Sequence, residues 1–155
     1  MTEAPNLVLE NRFHAPPRFV KEWMTDYRAD DGRFFGDATP FRVVRQGHVV
    51  RREQDNPMGL MAMTVDVAAE DRWTVRGDQR DPQGNVLFSF VIRESVRPHG
   101  DGTLHRVEMT VTPSPPLAGA LPQMVEQWRA SLTAGFGLIE REIAMAAKGG
   151  KAPTA

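Results

Sequence analysis

Four histidines, His14, His48, His99 and His105, are the chain's only imidazoles, and none stands at metal-pair spacing from another. His105 alternates in step with Val107, Met109 and Val111. An inward position near a strand's end would let it hydrogen-bond a ligand or act as a general base. The simpler reading is a solvent-exposed histidine beside a hairpin. His99 stands in a Pro-Gly-Asp turn and reads as wet. Glu94 is in phase with Phe88, Phe90 and Ile92. A carboxyl on that apolar face would have a raised pKa and could act as an acid. Asn11 lies between Leu9 and Phe13, and Gln79 follows Trp73 and Val75 in phase. For all three, a place at the sheet's wet rim is the simpler account. Should a ligand's polar group be recognised, Asn11, Gln79, Glu94 and His105 are the residues placed to do it. No catalytic residue is assigned.

Asp26, Asp30, Asp31 and Asp37 do not follow the spacing of a calcium loop, and Phe34-Phe35 interrupts them. They read as surface acidity, and no metal site is expected. Cysteine is absent, which removes disulfides, thiolate ligands and a cysteine nucleophile. There is no Gly-x-Ser-x-Gly elbow, and Gly100-Asp101-Gly102 reads as a hairpin rather than a phosphate cradle. Met61, Met63, Met109 and Met124, with Trp73, Phe88, Phe90, Trp128, Leu132 and Phe136, either line a deformable cavity or fill a core. The residues alone leave that open.

These side chains depend on the elements that carry them. Leu7, Leu9 and Phe13 alternate with Val8, Glu10 and Arg12, as in a strand with one buried face. Pro16-Pro17 ends it, and Phe19, Val20, Trp23, Met24 and Tyr27 predict a helix of about three turns. Asp30–Asp37 is too rich in glycine and aspartate for a long helix, and its two phenylalanines read as anchors. Strands are predicted over Phe41–Gln46, His48–Gln54, Leu60–Ala68, Arg72–Arg80, Val86–Arg97 and Thr103–Thr112. A tight turn at Pro82-Gln83 would set Val75 near Phe90 and Trp73 near Ile92, while the Glu70 link would set Val65 near Val75 and Val67 near Trp73. Both registers gather each strand's apolar alternation on one side.

After Pro113-Ser114-Pro115-Pro116 the period changes to 3.6. Leu121, Val125, Trp128, Leu132, Phe136, Ile139 and Ile143 form one stripe, predicting a helix from about 118 to 147. Gly135 and Gly137 flank Phe136 and imply a bend or a close neighbour. Gly149 is a natural stop, and 149–155 reads as a flexible tail after a single domain over 1–148.

The chain has 155 residues, 19 basic against 20 acidic side chains and a formal net charge of -1, which suits one domain. That balance excludes the basic surplus of a general nucleic-acid binder. No apolar run approaches a membrane span, no stable membrane insertion is expected, and the N-terminus lacks a secretion signal, so a cytoplasmic location is expected.

Three stretches together resemble the START-like superfamily (SRPBCC, polyketide cyclase/dehydrase and lipid transport). They are Phe13–Asp26 with its Ala15-Pro16 opening and closing aspartate, the Gly100-Asp101-Gly102-Thr103 turn, and the long terminal helix. The resemblance covers roughly residues 5 to 147. It implies an α+β helix-grip fold, with a curved antiparallel sheet of about seven strands around the C-terminal helix and two short helices after strand 1. It also implies a cavity for a hydrophobic small molecule, a lipid or aromatic metabolite, with no cofactor, in a monomer or homodimer. Asn11, Met61, Met63, Trp73, Gln79, Phe88, Phe90, Glu94, His105, Met109, Trp128, Leu132 and Phe136 are the expected ligand contacts. The family's diversity keeps two further readings open. One is a cyclase or dehydratase moving a proton through Glu94 or His105; the other is an interaction module with a filled core. Movement of the 28–40 segment, or of the Gly47 and Pro57–Gly59 turns, is the expected means of access.

Overall fold

The computed structural model describes residues 4–37 and 39–149. Strand β1 (Leu7–Phe13) leads through Pro16 into helix α1 (Pro17–Met24), followed by a 3-10 turn (Asp31–Phe35). Six strands follow: β2 (Arg42–Gln46), β3 (Val49–Asn56), β4 (Gly59–Asp66), β5 (Arg72–Arg80), β6 (Val86–His99) and β7 (Gly102–Pro113). A second 3-10 turn, Pro115–Ala120, precedes helix α2 (Leu121–Lys148). All seven strands form one antiparallel sheet in the order β1-β7-β6-β5-β4-β3-β2.

The predicted faces are the observed ones. Met63, Val65, Trp73, Val75, Phe88, Phe90, Val107, Met109 and Val111 are all buried on one side of the sheet. Val65 pairs with Val75 as expected, but Val75 meets Ile92 and Trp73 meets Glu94, two residues along β6 from the predicted partners. The cause is local: Gly84 closes the hairpin at φ 87°, and Leu87 is skipped between the Gln79–Phe88 and Arg80–Val86 pairs as a bulge. A slip of two residues keeps every side chain on its face, which is why the faces agree despite it.

Helix α1 is eight residues long, shorter than predicted. The Thr25 backbone N–H and its hydroxyl both donate to the Lys21 carbonyl, closing the last turn and leaving Tyr27 beyond the helix. Helix α2 begins at Leu121 rather than 118, with Pro122 in its first turn, where a missing N–H costs nothing. It crosses the sheet's inner face, packing on β1 and on the first 3-10 turn. Val125, Phe136, Ile139 and Ile143 are buried beneath it, while Leu121, Trp128 and Leu132 of the stripe are half-buried. Gly135 answers the close-neighbour expectation: a Cβ there would lie 2.3 Å from the Phe35 ring and 2.7 Å from the Phe34 carbonyl. Gly137 faces open space. Gly149 ends the helix in a right-handed conformation, and the rest of the expected tail lies outside the described residues.

The outer strand β2 leaves one edge of the sheet unpaired. Its Arg42 reaches Asp55 and Glu53 on β3, and its Arg45 donates to the carbonyls of Tyr27 and Thr25. No helix among the described residues is long and apolar enough to cross a membrane.

Candidate functional site

Strand register builds a polar row across the inner face. Asn11 on β1 stands opposite His105 on β7, and Trp73 on β5 stands opposite Glu94 on β6. Asn11 Nδ2 donates to His105 Nδ1 at 3.1 Å, and His105 Nε2 donates to Glu94 Oε1 at 2.9 Å. Trp73 Nε1 donates to Glu94 Oε2 at 2.7 Å. With Nδ1 accepting, the imidazole carries its proton on Nε2. His105 is fully buried, stacked on Trp73 and edge-on to Phe136, with ring centroids 5.9 and 5.1 Å away. The exposed reading of His105 is therefore overturned, as is the rim reading of Glu94, whose side chain is 11% exposed.

A cavity of about 170 Å³ lies between the sheet and α2. Met63, Glu94, Met109, Leu132 and Phe136 of the expected contacts line it. Val75, Ile92, Val107 and Ile139 complete its apolar wall, and Trp23, Met24, Phe34 and Phe35 cover it. The other expected contacts stand elsewhere. Phe88, Phe90 and Trp128 are packed into one another, with Phe88–Trp128 centroids 5.2 Å apart, so the first half of α2 plugs that end of the sheet. Half-buried Met61 packs against the same core without reaching the cavity, as does Met124. Gln79 is fully buried but spent: its amide exchanges hydrogen bonds of 2.7 and 3.0 Å with Asn56 and also donates to the Arg80 carbonyl. Asn11, Trp73 and His105 lie behind Glu94 and reach the cavity only through it.

Among the lining residues outside the sequence expectation, Tyr27, Asp31 and Arg52 bring polar groups to the cavity, as do Asp26, Arg28 and Arg33. Arg52 is 9% exposed, its guanidinium carbon 4.2 Å from the Tyr27 ring centroid and 4.3 Å from that of Phe41. Burial lowers its pKa, opposed by Tyr27 and Asp31. Burial also raises the pKa of Asp31, against the Arg28 backbone N–H and Arg52. The Tyr27 phenol is pushed upward by burial and then by Glu94, so it stays protonated. Asp31 thus departs from the surface-acidity reading. So does Asp26, whose side chain is 7% exposed and accepts from Arg28 Nε and Nη2. The signal for Arg52 lay in parity, since Val50, Arg52, Gln54 and Asn56 alternate on a face that the Val50–Val65 and Arg52–Met63 pairs turn inward. That face has one aliphatic residue among polar ones, so hydropathy gave no cue. Of the expected access segments, only the 28–40 stretch touches the cavity, through Arg28, Asp31, Arg33, Phe34 and Phe35.

The seven-stranded sheet, the short helical segments after β1 and the gripped helix α2 constitute the START-like helix-grip fold. A protein of Thermus thermophilus is similar over 90% of this chain and 97% of its own, with TM-score 0.69 and 17% identity. A START superfamily protein from Mycobacterium smegmatis gives TM-score 0.65 and 14% identity over 88% of this chain and 97% of its own. The di-domain ARO/CYC StfQ from the steffimycin biosynthetic pathway gives TM-score 0.63 and 11% identity, over 92% of this chain and 51% of its own. No protein-family model and no curated protein matches the chain. At these identities the likeness is one of fold.

Proposed function

We propose that this protein binds one hydrophobic small molecule between its sheet and helix α2, and that the guest is an aromatic metabolite rather than a long-chain lipid. The cavity carries this reading. Its volume of about 170 Å³ is of the order of an apolar cavity that takes a benzene-sized molecule. Most of its wall is aliphatic, aromatic and methionine side chains, with Asp26, Arg28, Asp31, Arg33, Arg52 and Glu94 as its charged members. Removing apolar ligand surface from water supplies the affinity, at about 25 cal/mol per Å². The polar groups set orientation. An interaction module with a filled core has less support, because the packed region around Phe88, Phe90 and Trp128 occupies only one end of the bowl.

The test is titration calorimetry with single- and double-ring aromatics beside a long-chain fatty acid, with native mass spectrometry of the purified protein for carried-over ligand. Saturable one-to-one binding of the aromatics is expected. Tight binding of the fatty acid alone would reverse the choice, and no binding of either would remove the ligand reading.

A second reading, turnover of the guest, is favoured by the hydrogen bond between cavity-lining Glu94 and buried His105, a pair able to pass a proton. It requires Glu94→Gln and His105→Ala to abolish conversion of a confirmed substrate.

A further inference from the structure

The buried polar groups on the sheet's inner face are mostly satisfied within the protein. Gln79 is paired with Asn56, Gln54 donates to the Thr39 carbonyl, and His105 uses both ring nitrogens. Arg52 is the exception. Among the described residues its guanidinium, with five N–H groups, makes one hydrogen bond, from Nη2 to Asp31 Oδ2 at 3.4 Å. Its Nε is buried without a partner, and the side chain lines the cavity. A desolvated charged donor left unpaired is costly, so such a group inside a cavity marks where an acceptor belongs.

The geometry points to Arg52 as the polar anchor of the cavity, donating to the carbonyl oxygen of a neutral hydroxyaryl ketone whose hydroxyl donates to Glu94. This rests on the cavity being a ligand site. Three observations select that chemistry. Tyr27 and Phe41 hold the guanidinium between their rings, fixing its plane as a donor fork. Glu94 faces the same cavity as an acceptor, its two oxygens held in place by the Trp73 and His105 ring N–H groups. The lining already sets Asp26, Asp31 and Glu94 against Arg28, Arg33 and Arg52, so a ligand carboxylate would add an uncompensated negative charge, repelled by Glu94. A neutral carbonyl takes the same Arg52 hydrogens without that repulsion.

Affinities of the three hydroxyacetophenone isomers would be compared with those of the matching ethylphenols, which lack only the carbonyl, and of the hydroxybenzoates. The best ketone is expected to bind about tenfold to a hundredfold tighter than its ethylphenol. In Arg52→Met that ratio should fall within about threefold while ethylphenol binding persists. Equal binding of ketone and ethylphenol by the unaltered protein would overturn the assignment, as would tightest binding of a hydroxybenzoate. Acetophenone binding as well as the best isomer would remove Glu94 from it. Binding of ethylphenol without discrimination defeats this inference alone, whereas binding of nothing in the panel defeats the ligand-site reading with it. Should Arg52→Met fail to fold, the Nε–H resonance of Arg52 in the unaltered protein decides. It should move on adding the ketone and stay put with ethylphenol; an unmoved resonance with saturating ketone would overturn the proposal.

Discussion

A guanidinium between two rings with one long ion pair costs stability while the cavity holds only protein. Replacing a poorly compensated buried ion by an apolar side chain of similar size is often stabilising. Arg52→Met is therefore expected to raise stability by about 1 kcal/mol, roughly 2–4 °C in melting temperature for a domain of this size. A lower melting temperature in a calorimetric scan would show that Arg52 is mainly structural. Its neighbour Asp31 gives a pH test. Burial raises the Asp31 pKa above 3.8, so the folded state holds this proton more tightly than the unfolded chain. Its favourable contribution is complete below the unfolded value and is lost as pH rises through the folded one. Urea titrations of Asp31→Asn and the unaltered protein, from below pH 3.8 to neutrality, should diverge in favour of asparagine as pH rises. A constant difference would contradict the shift. Arg28 can keep its backbone bond in that variant, because an amide oxygen accepts it as well.

Elements meet most closely where the first 3-10 turn rests on α2. Phe35 lies over Gly135 and edge-on to Phe136, at 5.9 Å between ring centroids, while Phe34 packs on Trp23 at 5.8 Å. Gly135→Ala should cost about 1–3 kcal/mol by driving a methyl into the Phe35 ring and Phe34 carbonyl. Hydrogen exchange over 31–35 should quicken with it. Gly137→Ala, with nothing near the new methyl, should instead add about 0.5–1 kcal/mol through helix propensity. Equal effects at the two positions would mean the turn is not seated on the helix. The sequence exposed this contact only as two glycines beside Phe136, without saying which one has the neighbour. The strands were far more readable: alternation named the buried face of β4 to β7, and even a two-residue error at the Gly84 hairpin left that face intact. The cavity was less readable. Its apolar contacts on β4, β7 and α2 followed from phase, whereas Phe88, Phe90 and Trp128 have the same phase and fill space instead. Periodicity gives the side of a sheet and is silent on how far along it the helix touches down.

At the scale of the molecule, one end of the bowl is solid and the other is hollow. A guest that fits should stabilise the fold by mass action, so saturating hydroxyacetophenone is expected to raise the melting temperature in proportion to the logarithm of its concentration. A long-chain fatty acid should leave it unchanged; a comparable rise with the fatty acid would mean that the plugged end opens. The unpaired margin at β2 has a separate consequence. Five residues long, it has arginines at 42 and 45 tied to Glu53, Asp55 and Asp26, so two copies pairing there would have to desolvate these charged groups along a short seam. Lateral growth into fibrils is thereby discouraged at this border, and neutralising both arginines should make aggregation sensitive to protein concentration.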